Sequence, residues 1–402
     1  MILSTNLLFH YIFTIVNKIF INRVLSLEYY FIFARWMSFL FKQVSSDFRV
    51  FEELPFSLSG NGDAFYVYIE KRNLTTHELL EHIQKKCHIS RMSIGIAGLK
   101  DKKAIARQWI SIYARALKKA GGEKVFCDIL AEKVKIIQVG RHETPLNLST
   151  PIMNRFSLVL RTAKHIGDHE RAQAKAIVSR LLTQGYANCY GSQRFGIGGR
   201  NTTQGWEILT KTSRELKKLT KQDIIFKIQA YVSHCFNEFV ASLPHAYEAS
   251  DVFGLMDGCV VVRQEGLYQR YGYYEAQHGK VREIVLKVGG DGTRKLGKLI
   301  AFDPRRMVVT GPVLGDDMLQ PLPESPAAKR EQVFFEKLGI TAAILHSLKE
   351  YRVYGLRRAL RVIPTRTEVH YRDEFMHIYF TLPAGAYASI LFDQLQDSLS
   401  RL

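Results

Sequence analysis

The sequence predicts an α+β fold in two or three domains, and three observations carry that expectation. Strand-like runs rich in aromatic and β-branched residues, such as residues 65–70 (FYVYIE), alternate with helical segments whose apolar positions recur every three or four residues. The chain has 402 residues, more than one hydrophobic core usually holds. Its texture also changes at Gly185, where a glycine-rich loop leads into basic helices and a second β-rich stretch.

In chain order, residues 1–36 are apolar and aromatic, but Asn6, His10, Asn17 and Lys18 interrupt the run. A spanning helix needs roughly 20 clean apolar residues. Neither a basic start nor a small-residue cleavage site marks a signal peptide. The expectation is that residues 1–40 form an apolar extension outside the working fold, with Met37 as the true start, and a membrane anchor is the weaker reading. From Lys42 the texture is globular. Residues 65–70 read as a strand, and Thr75-x-x-Glu78 is a capping box opening a helix to Cys87, with Leu79, Leu80 and Ile83 on one side. A short strand at 94–97 enters a Gly-Leu-Lys-Asp turn, and further strands follow at 108–113, 134–139 and 156–161. Residues 168–184 read as a helix with Ala174, Ile177, Val178, Leu181 and Leu182 along one face and Gly185 as its left-handed cap. Beyond it, KTSRELKKLTKQDIIFKI reads as basic helix. In Gly292-x-x-x-x-Gly297-Lys298, Leu299 stands where a phosphate-binding loop needs a magnesium-ligating Ser or Thr, so the stretch reads as a basic turn. Residues 368–382 alternate like a strand, and LPAGAYASILFDQL turns into a helix.

Composition excludes small disulfide-stapled folds and fully disordered chains, since hydrophobic residues make up 47% and charged residues 23%. The unusual feature is 56 Lys+Arg against 38 Asp+Glu, a net charge of +18. Such an excess suits a polyanionic partner, nucleic acid before an anionic membrane surface. Five cysteines (Cys87, Cys127, Cys189, Cys235, Cys259) include no C-x-x-C pair, and His77 and His82 lack helical i,i+4 ligand spacing. Neither a disulfide framework nor a metal site is therefore expected, in keeping with a reducing cytoplasm.

Three stretches place polar or aromatic groups together. In Ala97-Gly98-Leu99-Lys100-Asp101-Lys102-Lys103 a lone carboxylate sits among three lysines. Neighbouring cations favour its charged form and suit it to act as nucleophile or general base. On composition alone a solvated charged turn is the commoner explanation. Asn154-Arg155-Phe156 brings an amide, a guanidinium and a ring to the start of a strand. An amide can read a base edge and a ring can stack on a base, although a core Phe with polar flanks is more frequent. The glycine-bounded loop NCYGSQRFG, residues 188–196, leaves Arg194 available for a phosphate or a carboxylate.

Taken in order, AGLKDKKAIARQW, MNRFSLVLR, NCYGSQRFGIGGRN, Gly355-Leu356-Arg357-Arg358 and LPAGAYAS resemble the successive motifs of the TruD family of tRNA pseudouridine synthases. The similarity runs from about Lys42 to the C-terminus. It implies a pseudouridine-synthase catalytic core on a mixed, largely antiparallel sheet, residues 41–184 and 363–402, interrupted by an inserted α/β domain, the TRUD domain, at residues 185–362. It also implies isomerisation of uridine 13 in the D arm of tRNA by a cytoplasmic monomer that uses neither cofactor nor metal. By motif, Asp101 is the catalytic aspartate, Phe48 lines the base site, Asn154 contacts substrate and Tyr387 packs on the target base. Lys42 matches a basic position near the carboxylate, and Phe156 and Arg194 join the substrate-binding set. Lys211, Arg214, Lys217, Lys218, Lys221, Arg352, Arg357, Arg358 and Arg361 are then candidates to line an RNA-binding cleft between the two domains, with at most half of them expected to touch RNA and the rest to be ordinary solvated surface. The rival from another class is a non-catalytic RNA-binding protein, such as a tRNA chaperone on the same fold.

Overall fold

A computed structural model describes residues 39–402 apart from 148–149, 151, 163–166, 213–218, 244–253, 266–267, 286–294, 373 and 401–402. The apolar extension and the anchor reading thus lie outside the described residues, save for Phe39 and Leu40. Among the described residues no helix is long and apolar enough to cross a membrane. The chain forms two compact units, one built mainly from Ser38–Thr183 with Ile363–Ala388, the other mainly from Gln184–Val362.

The first unit opens with strands β1 (Phe39–Leu40), β2 (Phe48–Glu53) and β3 (Ala64–Arg72). Helix α1 (Thr76–Cys87) starts where the capping box predicts: the Thr75 hydroxyl accepts the Glu78 N–H while the Glu78 carboxylate accepts the Thr75 N–H. Then come β4 (Ile94–Gly95), β5 (Ile105–Tyr113), α2 (Ala114–Lys119), α3 (Gly122–Ala131), β6 (Lys135–His142), β7 (Met153–Thr162) and α4 (Asp168–Gln184). In α4 the side chains of Ala174, Val178, Leu181 and Leu182 are buried and that of Ile177 is half-buried, so four of the five residues of the stripe expected from the 3.6-residue period face the core.

The second unit begins with β8 (Tyr186–Ala187), α5 (Arg200–Leu209) and α6 (Lys221–Ser242). It continues through β9 (Val260–Glu265), β10 (Tyr268–Glu275), β11 (Lys280–Val285), β12 (Lys295–Ala301), β13 (Met307–Val313), α7 (Pro326–Lys337), α8 (Ala342–Glu350), β14 (Leu356–Ala359) and β15 (Arg361–Val362). An antiparallel sheet in the order β12-β11-β10-β9-β13-β14 packs Val261, Met307, Val309 and Val313 against Val232, Phe236, Phe239 and Val240 of α6. Two expectations change here. Gly297 and Lys298 lie inside β12, not in a turn, because the apolar residues around them pair with β11. In the basic segment Lys221 onward is helix, capped by Thr220, the described residues Lys211, Thr212 and Leu219 are not helical, and residues 213–218 lie outside the described set.

The expected basic lining is also revised. Arg357 and Arg361 are buried. Arg357 donates to both carboxylate oxygens of Glu331 at 2.8 and 2.6 Å and to the Thr310 carbonyl at 3.1 Å, so its charge is consumed inside the unit. Arg358 donates to the backbone and side-chain oxygens of Asn188 at 2.9 and 2.7 Å. Lys211 pairs with Glu350 at 3.5 Å, Lys221 and Arg352 are exposed, and Arg214, Lys217 and Lys218 lie outside the described residues.

The chain returns to the first unit as β16 (Thr365–Arg372) and β17 (Phe375–Pro383), and helix α9 (Ala388–Ser400) follows, with its Ser389–Gln394 stretch grouped with the second unit. Residues 368–382 are thus a hairpin, not one strand, with His370 opposite His377. The sheet order is β16-β17-β7-β2-β5-β3-β6, with β1 added beside β7 and β4 beside β5. Every pairing is antiparallel except β2 with β5. Both faces of the centre are covered, which explains the nearly continuous apolar runs of β3 and β5. Phe65, Val67, Ile69, Ile110 and Ile112 face Leu79, Leu80 and Ile83 of α1 and Phe126 and Leu130 of α3. Tyr66 and Trp109 face the other way, among Phe56, Leu58, Leu146 and Ile152.

Candidate active site

The parallel pair at the centre of the sheet sets the site. Arg49 of β2 lies opposite Ile105 of β5, so the loop carrying Asp101 enters β5 at the end where β2 begins. Along β2 the residues Phe48, Val50 and Glu52 alternate onto one buried face. Directly opposed residues share a face, and Val50 opposes Phe156 while Glu52 opposes Asn154. Phe48 meets Phe156 edge-on at 5.8 Å, and Phe156 stacks on Phe380 at 5.3 Å. Just before β2, the buried Asp47 takes two bonds from Arg161, at 2.8 and 2.9 Å, and one from the Val44 N–H at 3.0 Å, which fixes the approach to Phe48.

Lys42 holds a left-handed φ of +53°. Its ammonium sits 3.7 Å above the centre of the Phe48 ring and bonds to Asp101 Oδ2. The Asp101 side chain remains 38% exposed against 18% for Lys42, so the carboxylate is the member open to a reacting atom. The lysines adjacent in sequence are engaged elsewhere: Lys102 pairs with Glu78 at 2.7 Å and Lys100 with Glu52 at 2.9 Å, while Lys103 is exposed. The cation that meets Asp101 comes from 59 residues earlier in the chain.

Two groups hold the backbone of the Asp101 loop. Lys71 of β3, only 1% exposed, donates to the carbonyls of Leu74, Lys100 and Asp101 at 2.5, 3.2 and 2.9 Å. An ammonium has three donors and no acceptor, and here three carbonyls receive them. Burial pushes the Lys71 ammonium down to about 8, with the Asp101 charge acting against that fall. The Thr76 hydroxyl accepts the Lys100 N–H at 3.0 Å and donates to Gln108 at 2.9 Å.

A second network runs along the same face. Lys100 Nζ lies 2.9 Å from Glu52 Oε1 and donates to Asn154 Oδ1. The other oxygen of Glu52 accepts the Trp109 N–H at 2.8 Å. Burial pushes the Glu52 carboxyl up, and the Lys100 charge pulls it back. Asn154 is therefore joined to the Asp101 loop through Lys100.

Tyr387 is half-buried and directly precedes α9. It follows a turn in which Gly385 has φ +82° and the Ala384 N–H bonds to the Ile152 carbonyl at 3.1 Å. Pro383 and Leu382 oppose Met153 and Asn154, so Tyr387 leaves the sheet beside the strand that carries Asn154. Arg194 belongs to the second unit, where it donates to Ser233 and Gln229 at 3.3 Å and lies 5.7 Å from the Phe226 ring. Within the first unit Lys42, Phe48, Asp101 and Phe156 thus come together and Asn154 is linked to them. Sequence reasoning missed Glu52 and Lys71, and read Lys100 only as a neighbouring charge. Glu52 and Lys71 carried a signal in their positions, because each is a charged residue at an inward strand register. Among the described residues no group of three or more His, Cys, Asp or Glu is placed to hold a metal ion.

Comparison with known proteins agrees with this frame. A solved structure described as the putative tRNA pseudouridine synthase D (TruD) from Methanosarcina mazei superposes with a TM-score of 0.60 at 17% identity, covering 90% of this chain and 94% of that one. The fold is therefore of that type. The family model for tRNA pseudouridine synthase D (TruD) matches residues 24–221. A tRNA pseudouridine synthase D of Thermus thermophilus is 28% identical over 87% of this chain and 86% of its own length. That of Pectobacterium atrosepticum is 25% identical over 87% and 89%. In family-model match, curated relatives and fold alike, the chain is similar to the TruD family.

Proposed function

We infer that this chain is a tRNA pseudouridine synthase acting on uridine 13 of the D arm, with Asp101 as its one catalytic carboxylate. The observation that carries the reading is the pairing of Asp101, partly open to solvent, with Lys42 over the Phe48 ring, in a chain similar to the TruD family. Isomerisation breaks the C1′–N1 bond, turns the uracil and joins C1′ to C5. C5 then gives up its hydrogen as a proton and N1 takes one up, so electrons balance and no co-reactant is needed.

One carboxylate is enough for this chemistry, whether Asp101 attacks the ribose or assists elimination across it. The Lys42 contact holds that carboxylate in one orientation, and the three carbonyl bonds from Lys71 hold the backbone beneath it. Phe48 and Phe156 supply an apolar wall for a detached ring, and Tyr387 covers its other side. Extruding the nucleotide from folded RNA costs a few kcal/mol, which stacking on such rings offsets.

The test is tritium release from tRNA carrying C5-tritiated uridine. The intact protein is expected to release tritium from tRNA with uridine at position 13 and none when cytidine replaces it, and Asp101→Asn is expected to release none at all. Salt-sensitive tRNA binding by both proteins with no release from either would overturn the enzyme reading and leave an RNA-binding protein on this fold.

A further inference from the structure

We propose that Lys100, braced by Glu52, is a positioning residue that fixes the polarity of the Asn154 amide, so that the site offers an N–H donor to the C4 carbonyl of uracil and rejects cytosine. This rests on the pseudouridine-synthase reading. The argument starts from what a lysine can do. An ammonium only donates, so the group that Asn154 turns toward Lys100 must be its oxygen, and the amide nitrogen points away. Flipping the amide would bring NH2 against NH3+. The ammonium cannot retreat, because Glu52 Oε1 holds it at 2.9 Å in a place where the Glu52 side chain is 0% and the Lys100 side chain 8% exposed. Glu52 is itself pinned through its other oxygen by the Trp109 N–H at 2.8 Å. The Asn154 amide nitrogen donates to no described residue.

A freely turning carboxamide serves a donor and an acceptor equally well and would accept uracil and cytosine alike. One locked by a cation is a donor only. At ring position 4 uracil carries a carbonyl, an acceptor, and cytosine carries an amino group, a donor. Asn154 opposes Glu52, two inward positions along β2 from Phe48, and is tied to the Asp101 loop through Lys100, the residue before Asp101. C4 lies across the uracil ring from N1, so a uracil whose N1 edge faces Asp101 turns its C4 edge away from that carboxylate, and in the proposed arrangement that edge meets the Asn154 amide. The reaction adds a second reason for such a donor. Turning uracil about the axis through N3 and C6 exchanges the C2 and C4 carbonyls, so one fixed N–H meets a carbonyl both before and after the turn.

The test measures selectivity. One RNA carries uridine at the target and is followed by tritium release; the same RNA with cytidine there serves as a competitive inhibitor. The intact protein is expected to bind the cytidine RNA about tenfold more weakly than the uridine RNA, the worth of one hydrogen bond. Lys100→Met is expected to narrow that gap to about threefold or less, chiefly by raising KM for the uridine RNA, and Lys100→Arg to restore it. Asn154→Asp keeps the shape and the bond to Lys100 but presents an acceptor, and is expected to shift the preference toward cytidine. A lysine with a merely structural role would weaken both RNAs alike. An unchanged ratio in Lys100→Met and Asn154→Asp would overturn the inference, and Asn154→Asp carries the test if Lys100→Met fails to fold. No tritium release by the intact protein would overturn the pseudouridine reading and this inference with it. Release with an unaltered ratio would remove this inference alone.

Discussion

At the scale of the residue, Lys71 places a buried ammonium against three backbone carbonyls, two of them on the Asp101 loop. Its ammonium titrates at about 8 in the folded chain against 10.5 ordinarily. Between those values the unfolded chain binds more protons than the folded one, so this group makes stability rise with pH over the window from about 8 to 10.5. Melting curves of the intact protein and Lys71→Met are expected to show the intact protein gaining on the variant across that window. Activity is expected to move the other way. Above about 8 a neutral amine has two donors for three carbonyls, so kcat falls in the intact protein, while Lys71→Met has a low kcat with a flat profile there and a KM changed little. A parallel loss of kcat in both proteins across the window would show that Lys71 does not hold the loop. Asp101 itself was legible as a lone carboxylate among lysines, whereas Lys42 was expected near it only through the family resemblance. A charge pair separated by 59 residues exists only once β2 and β5 lie side by side, and no local pattern announces it.

At the scale of the element, local chemistry was read well wherever one turn or one face decides the outcome. The Thr75–Glu78 capping box and the α4 stripe are of this kind. The β16–β17 hairpin was not legible because period-two alternation continues through its reversal and neither Gly nor Pro marks the turn. Gly95 shows an element acting on the site. It sits in β4, against β5, and the chain from β4 leads straight into the Asp101 loop. A Cβ there would collide with the Leu146 carbonyl oxygen and the Ser111 hydroxyl, which itself accepts the Leu146 N–H at 2.8 Å. Gly95→Ala is expected to lower stability by about 1–3 kcal/mol, as overpacking does, and to lower kcat by moving the loop. Chemical denaturation and tritium release on the same preparation check both effects; unchanged values would mean that β4 yields without disturbing Asp101.

At the scale of the whole molecule, the excess of +18 was legible at once, but where it acts was not, since a sequence does not say which guanidiniums face inward. Arg357 is the instructive case. With Glu331 buried beside it, Arg357→Ala leaves a carboxylate without its partner and is expected to cost about 3–5 kcal/mol. The salt dependence of tRNA binding should stay as it is, because that arginine touches no phosphate. For the intact protein, binding is expected to weaken by about 0.7–0.9 log units per log unit of salt for each phosphate contact. Filter binding over a salt series tests both statements, and a shallower slope in Arg357→Ala would return that residue to the RNA surface.

The sheet order also governs timing. β17 lies between β16 and β7, and it flanks the strand that carries Asn154 and Phe156. During synthesis that flank leaves the ribosome long after Asp101 and only when the whole second unit has already been made. A growing chain therefore carries Asp101 for most of its synthesis without β16 and β17 beside β7, and the site proposed here is complete only once the last strands have been laid down.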